Sequence, residues 1–336
     1  MNFEDNHSKG CQACQKGKWL CIYLTYLCNA SCSFCPAPIR NKDIVNSAFG
    51  NKPDLILNYL KQYPFEGVSF SGGECFMVFD RLLNWLTLFK NNKPELYYWA
   101  YTNGIKMNNM LLRKLDDAGL DELRFNIAAT GYNDAGVLQN LAYATKIFKH
   151  VTVEIPSIPE DYERLKQVLP VLNDLGVEYL NLHEYILVPN DLNTQKAPKE
   201  QFVMNYDMKM QYHKNSLSNT ERIKNDCEKN DFQIKINSCS LIKKEHQMLG
   251  RRKTMGALLK ENHEKLTKDG FLETIYISEK EDIATKETLK DYHNIDHARF
   301  MHPDQYNKNT GNAYLVTILP KLGIKAIPKV YKITKI

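Results

Sequence analysis

The chain has 336 residues, of which 43% are hydrophobic and 25% charged, the proportions of a soluble globular protein. That length buries a sizeable core and admits one large domain or two ordinary ones. Its net charge of +5, from 44 basic and 39 acidic residues, is dispersed and identifies no partner class. No apolar run reaches the ~20 residues of a membrane span, and the polar opening Met1-Asn2-Phe3-Glu4-Asp5-Asn6-His7 lacks a signal-peptide pattern. A cytoplasmic protein with no membrane partner is expected.

The elements are predicted in chain order from hydrophobic period. Strands are expected at Leu20–Tyr26, Gly67–Ser71, Tyr97–Tyr101, Glu122–Ile127, Val151–Ile155 and Tyr179–Glu184. Helical stripes separate them: Ile56, Leu60 and Tyr63; then Phe79, Leu82, Leu83, Leu86 and Phe89; then Leu111, Leu115 and Ala118, capped by Gly119. Two more follow, Leu138, Leu141, Thr145 and Phe148, and Leu165, Val168, Leu169, Leu172 and Leu175, the last closed by Gly176. Pro170 inside that stripe should kink it or mark a short first segment. Six strands alternating with helices predict an α/β fold with parallel pairing, closing into an open or partial barrel. Beyond Pro189 the rhythm changes. A polar helical stretch is expected from Ala197 to Asn230, a short strand at Phe232–Ile236, a helix through Leu249 and Leu258, and strands at Thr274–Ile277, Tyr314–Ile318 and Val330–Ile333. The division expected is an N-terminal Cys-containing segment over 1–18, a barrel core over 19–190 and a C-terminal α+β substrate or auxiliary region over 191–336. The basic run Arg251-Arg252-Lys253, with Lys243 and Lys244 upstream, reads as a solvated helix face, and no nucleic-acid partner is expected.

Cysteine usage is the informative part of the composition. Six of the nine cysteines fall between Cys11 and Cys35. Buried core thiols scatter through a fold, and a reducing cytoplasm disfavours structural disulfides, so this crowding reads as metal ligation. In Cys28-Asn29-Ala30-Ser31-Cys32-Ser33-Phe34-Cys35-Pro36 the spacing C-x3-C-x2-C lets one loop wrap three corners of a cubane cluster. The fourth iron is then free for a small molecule. The loop follows the first strand, at the C-terminal mouth where barrel enzymes place their chemistry. Directly after the second strand comes Ser71-Gly72-Gly73-Glu74.

The two motifs in this order resemble the radical S-adenosylmethionine (SAM) superfamily over about Leu20 to Asn190, with Phe34 in the aromatic position of the cysteine loop. The resemblance implies a partial (β/α)6 TIM-like barrel and a [4Fe–4S] cluster on Cys28, Cys32 and Cys35. It also implies SAM chelated at the free iron and cleaved reductively to a 5′-deoxyadenosyl radical that takes hydrogen from substrate. Gly72 and Gly73 would approach the methionine amino group of SAM, and Glu74 would hold the turn or the ligand. Thr102-Asn103-Gly104 resembles a turn that many relatives carry after the third strand, with Asn103 either a ligand contact or part of an ordinary turn. Asn126, on the fourth strand, stands where relatives place a ribose contact or is a polar residue facing a wet barrel. An oxygen-sensitive oxidoreductase working under anaerobic conditions follows, with an electron donor such as flavodoxin or ferredoxin. Glu154 on the fifth strand is costly to bury without a partner. Asn181 and His183 share one face of the sixth strand, with Glu184 on the other.

A second group, Cys11, Cys14 and Cys21, is joined from beyond the barrel by Cys239. These four are candidates for an auxiliary iron–sulfur cluster or a structural zinc, although Cys21 also suits a plain core thiol. Cys75 and Cys227 read as ordinary residues. Two functional classes stand open. One is a radical SAM enzyme acting on a peptide or protein, including activation of a glycyl-radical enzyme, or on a small metabolite. The other is a non-catalytic iron–sulfur or zinc-binding protein on a barrel scaffold. SAM binding separates them.

Overall fold

A computed structural model describes residues 7–35, 41–47, 50–187, 199–205, 210–278, 284, 289, 299–307, 312–320 and 329–336. Pro36, the expected boundary between residues 190 and 191, and Ala197 lie outside the described residues. The chain divides into two compact units, Met1–Cys14 with Trp19–Glu245, and Gln15–Lys18 with His246–Ile336.

In the first unit, α1 (Lys9–Gln15) precedes β1 (Trp19–Thr25), α2 (Pro53–Gln62), β2 (Gly67–Gly72), α3 (Phe79–Asn92) and β3 (Tyr97–Thr102). The alternation continues through α4 (Asn109–Asp117), β4 (Glu122–Phe125), α5 (Ala135–Ile147), β5 (His150–Ser157), α6 (Tyr162–Asp174) and β6 (Tyr179–Glu184). The helices form where predicted because each has one apolar stripe and a stop. Leu82, Leu86 and Phe89 of α3 are fully buried. Asn108 and Asp134 cap α4 and α5 through their side-chain oxygens, and Gly119 and Gly176, at φ +85° and +77°, end α4 and α6. The inward stripe of α5 is Val137, Leu141 and Ala144, one residue ahead of the predicted Leu138 and Thr145 at two of its positions.

The strands pair in parallel in the order β1-β2-β3-β4-β5-β6, followed by a seventh strand, β10 (Lys235–Cys239), an α/β sheet consistent with a partial TIM-like barrel. Leu20, Ile22 and Leu24 of β1 are buried and alternate with Cys21 and Tyr23 on the opposite face. The sheet has one strand more than the six predicted. β10 lies beside β6, shifted by three residues from the expected Phe232–Ile236. The polar stretch before it is not helical throughout. It holds β8 (Phe202–Asn205) and β9 (Met210–His213), which pair with each other, with β9 also pairing with β7 (Ile186–Leu187), ahead of α7 (Ser216–Lys229). Phe202 anchors this hairpin against Tyr185 and His213, a burial that overrides the polar composition around it. Pro170 lies within α6 and does not divide it.

α8 (Leu241–Leu259) follows β10. The second unit contains an antiparallel sheet of β11 (Lys265–Leu266), β12 (Leu272–Ser278), β13 (Phe300–Met301), β14 (Asn312–Leu319) and β15 (Lys329–Lys335). Leu272, Phe300, Tyr314, Val316, Ile318 and Val330 make its core. Among the described residues, no helix is long and apolar enough to cross a membrane.

Candidate active site

A cavity of about 440 Å³ opens in the first unit, and Cys28, Cys32 and Cys35 line it together with Gly72, Gly73 and Asn103. The local geometry begins with β1, which stops at Thr25 and leads into the cysteine loop. The Gly73 N–H donates to the Thr25 carbonyl at 2.8 Å, and the Glu74 N–H donates to that of Leu27 at 2.7 Å. A Cβ on Gly72 would stand 2.2 Å from the Thr25 oxygen, and one on Gly73 would stand 2.0 Å from the Leu27 oxygen. Gly72 also has φ +126°, which excludes most side chains. These glycines are therefore required by the chain that enters the cysteine loop, as well as lining the cavity.

Glu74 is fully buried and its carboxylate is consumed by backbone and neighbouring hydroxyl groups. It accepts from the Phe76 N–H at 3.0 Å, the Thr102 hydroxyl at 2.9 Å and the Asn103 N–H at 2.7 Å. Burial pushes its pKa up, and the three hydrogen bonds oppose that shift. Its role in this geometry is to tie the turn after β3 to the turn after β2. That turn aims Asn103, whose amide donates to Asn29 Oδ1 at 2.7 Å and to Cys28 Sγ at 3.8 Å. Burial raises the Cys28 thiol's pKa, while the Ala30 N–H and Asn103 act against that rise.

The cavity fits the cofactors that the motifs imply. Its donor set includes three thiols, and Asn126 Oδ1 is a buried acceptor without a hydrogen-bond partner, on a residue lining the same space. A sugar hydroxyl is a suitable donor for such an atom. Phe34 is 8% exposed and packs in the cavity wall. Among the described residues, no three His, Cys, Asp or Glu side chains already stand as ligands of one metal ion. Each thiolate of a [4Fe–4S] cluster binds a different iron, so such ligands need not crowd as they do around a single ion.

Glu154 has the partners that its burial demands. Arg124 Nη1 lies 2.7 Å from Glu154 Oε2, and the same guanidinium forms 2.9 and 3.0 Å hydrogen bonds to Glu122. Asn181 Nδ2 and His183 Nε2 complete the shell of Glu154, both at 2.8 Å. Burial alone would raise the Glu154 carboxyl, but Arg124 and His183 outweigh it and hold it well below the usual range. Burial likewise pulls His183 down, yet Cys239 and Glu154 lift it to about 9. His183 and Glu154 both line the cavity, so the face shared by Asn181 and His183 is the lumen.

The remaining candidate ligands separate. Cys11, on α1, receives the Asn181 amide at 3.2 Å, and Cys14 lies three residues on along the same helix. Cys239 is the register partner of His183; burial would raise its thiol, but His183 holds it below the usual range. Cys21 instead lies on β1, on the face opposite buried Leu20 and Ile22. Arg124 was not singled out from sequence, although its spacing from Glu122 on a strand puts the two on one face. Nothing in the sequence pointed to Asn237, whose importance depends on β10 pairing with β6.

Comparison with known proteins supports the same reading. The Radical SAM superfamily model matches residues 22–191, half of the chain. A Methanocaldococcus jannaschii protein named as a glycyl-radical enzyme activating enzyme is 26% identical over 285 residues, covering 80% of this chain and 74% of that one. Among solved structures, Streptococcus suis SuiB bound to its precursor peptide SuiA is similar at a TM-score of 0.51 and 14% identity, over 66% of this chain and 48% of SuiB. SuiB bound to S-adenosylmethionine gives 0.50 at 14% identity, over 66% and 50%. The chain thus spans about half the length of SuiB, and at this identity the likeness concerns the fold. The cysteine loop, the glycine pair that carries it and the family match over residues 22–191 agree: this chain belongs to the radical SAM superfamily.

Proposed function

We propose that Cys28, Cys32 and Cys35 hold the [4Fe–4S] cluster of this radical SAM enzyme and that Gly72, Gly73, Asn103 and Asn126 receive SAM beside it. What the bound pair supplies is reductive cleavage of SAM to methionine and a 5′-deoxyadenosyl radical able to abstract hydrogen from substrate. The chain's own residues orient and shield. Thr25, Leu27 and Gly73 fix the course of the cysteine loop, Glu74 fixes the turn that aims Asn103, and Asn126 offers an unpaired acceptor. Phe34 covers one wall against water. The observation that carries this reading is the hydrogen-bonded convergence of the ends of β1, β2 and β3 on Cys28.

The substrate we favour is a peptide or protein carbon, with activation of a glycyl-radical enzyme as the specific case. The name of the M. jannaschii relative supports that case. A low-potential electron donor of the flavodoxin or ferredoxin kind, an anaerobic setting and a cytoplasmic location belong to the same proposal. So does a second thiolate-bound metal group that includes Cys11 and Cys14, with iron–sulfur preferred to zinc.

The test is anaerobic reconstitution, reduction and incubation with SAM. The wild type should form 5′-deoxyadenosine, and the variant Cys28→Ala/Cys32→Ala/Cys35→Ala should lose about four irons and all cleavage. Undiminished cleavage in the variant would sink the assignment. A protein carrying a glycyl-radical domain, added to the active mixture, should acquire an organic-radical EPR signal; its absence across such partners would reject the activase case.

A further inference from the structure

β6 and β10 run in parallel register, with Asn181 opposite Asn237 and His183 opposite Cys239. Side chains two apart on a strand share a face, so these four form a square patch on one wall of the lumen. α1 lays Cys11 and Cys14 against that patch. The Asn181 and Asn237 amides both point at Cys11 Sγ, at 3.2 and 3.6 Å, and Asn237 also donates to Asn181 Oδ1 at 3.1 Å. Cys14 follows Cys11 by three residues on α1 and so shares its helix face; burial pushes its thiol up, and the Cys239 and Cys11 sulfurs push the same way.

Two features of this patch suit a metal better than an apolar core. First, a neutral thiol is a weak acceptor, whereas two converging amide donors suit a thiolate. Cys11 is only 7% exposed, and a buried thiolate needs a positive partner. Arg124 acts on Cys11, but the same guanidinium also pairs with two carboxylates, Glu122 and Glu154. Second, Asn237 is 4% exposed, and its Oδ1 has no hydrogen-bond partner. A plain hydrophobic residue there would avoid leaving a buried amide oxygen unpaired.

His183 is held by a carboxylate in the way that ligating histidines are. Its Nε2 is held by Glu154 at 2.8 Å, and its register partner on the neighbouring strand is Cys239. A ligating histidine commonly gives its other ring nitrogen to a carboxylate in this way.

We propose that Cys11, Cys14, Cys239 and His183 hold a second iron–sulfur cluster inside the lumen, with Asn181 and Asn237 as amide donors to the Cys11 sulfur. This deepens the second-metal part of the proposed function and rests on it, and it is independent of the assignment of Cys28, Cys32 and Cys35. It removes Cys21 from the ligand set and adds a histidine that also lines the active-site cavity.

The test uses the full chain with Cys28→Ala/Cys32→Ala/Cys35→Ala, so that any remaining iron belongs to the second site. After anaerobic reconstitution, iron, sulfide and zinc are measured, and EPR spectra are recorded on the reduced protein. The expected result is about four irons with matching sulfide and a cubane signal. Adding Cys239→Ser or Cys14→Ser should remove that iron with an unchanged circular dichroism spectrum, and adding Cys21→Ala should leave it in place. Asn237→Leu should retain the iron but lower the midpoint potential, because an N–H donor to sulfur favours the more negative reduced state. Absence of iron, zinc in its place, or full iron in the Cys239→Ser chain would each overturn the proposal. The SAM-dependent change of the wild-type EPR signal reports on the other cluster, so failure of that reading is seen separately.

Discussion

The Asn103 side-chain amide donates to the Cys28 sulfur at 3.8 Å while the same residue's backbone N–H donates to Glu74 at 2.7 Å. A buried carboxylate after β2 thereby sets the hydrogen bond received by a thiol after β1. Outer-shell donors of this kind tune metal sites, and their loss costs about 10- to 100-fold in activity or metal affinity. Asn103→Leu is expected to keep its iron, to lower the midpoint potential of the Cys28 cluster and to slow 5′-deoxyadenosine formation by a factor in that range. Chromatographic rate measurement with a redox titration checks it; an unchanged potential would remove the role given to the amide.

Gly73 is the tightest point of the cysteine-loop scaffold. A methyl group there would meet the Leu27 oxygen at 2.0 Å, and that oxygen belongs to backbone that accepts from the Glu74 N–H. Gly73→Ala must therefore displace the entry to the loop. Reconstituted iron at Cys28, Cys32 and Cys35 should fall sharply. Gly136→Ala is the contrast, since its Cβ would meet only Asp134 Oδ1 at 3.3 Å. Equal iron content in the two variants would contradict the packing argument.

Arg124 is 3% exposed and neutralises Glu122 at 0% and Glu154 at 10%. Its guanidinium also sits 4.9 Å from the Trp99 ring centroid. Arg124→Leu leaves two carboxylates without their cation, and breaking a buried pair from one side costs about 3–5 kcal/mol. Anaerobic denaturant unfolding should show a loss of that order. A change below 1 kcal/mol would mean that water or rearrangement compensates, at odds with the burial of the site.

Arg81 forms a two-pronged pair with Asp43 at 2.7 and 3.0 Å and reaches the Leu24 carbonyl at 2.6 Å, next to the cysteine loop. Hydrogen bonding to Arg81 lowers the Asp43 pKa from 3.8. The folded value is below the unfolded one, so the pair's stability is present above that pH and is lost as pH falls through the folded pKa. Asp43 is 45% exposed, so solvent screening limits the gain to no more than about 1 kcal/mol. Asp43→Asn should be slightly less stable than wild type near neutrality, with the gap closing in acid. A gap that widens in acid would reverse the sign argued here.

The strand and helix order from Trp19 to Glu184 was legible because each element carries its own periodicity, and periodicity is a local property of sequence. The cysteine spacing was legible for a related reason, since it acts within a few residues of chain; Gly72-Gly73 was legible as a motif, but what it acts on, Thr25 and Leu27, is distant in sequence. Other features belong to pairing across long separations. β10 joins β6 more than fifty residues later in the chain, and only that register sets Cys239 beside His183 and Asn237 beside Asn181. The roles of Arg124 and Glu74 likewise rest on partners from other strands. Phe202 and the hairpin it anchors overrode a polar composition, since burial against Tyr185 and His213 is a tertiary term that no local count contains. Sequence alone therefore determined the family, the first six strands of the sheet and the spacing of the three loop cysteines. Tertiary structure decided which distant side chains meet in the lumen, because a buried charge or thiolate is stabilised by whatever faces it across the sheet, and not by its neighbours in the chain.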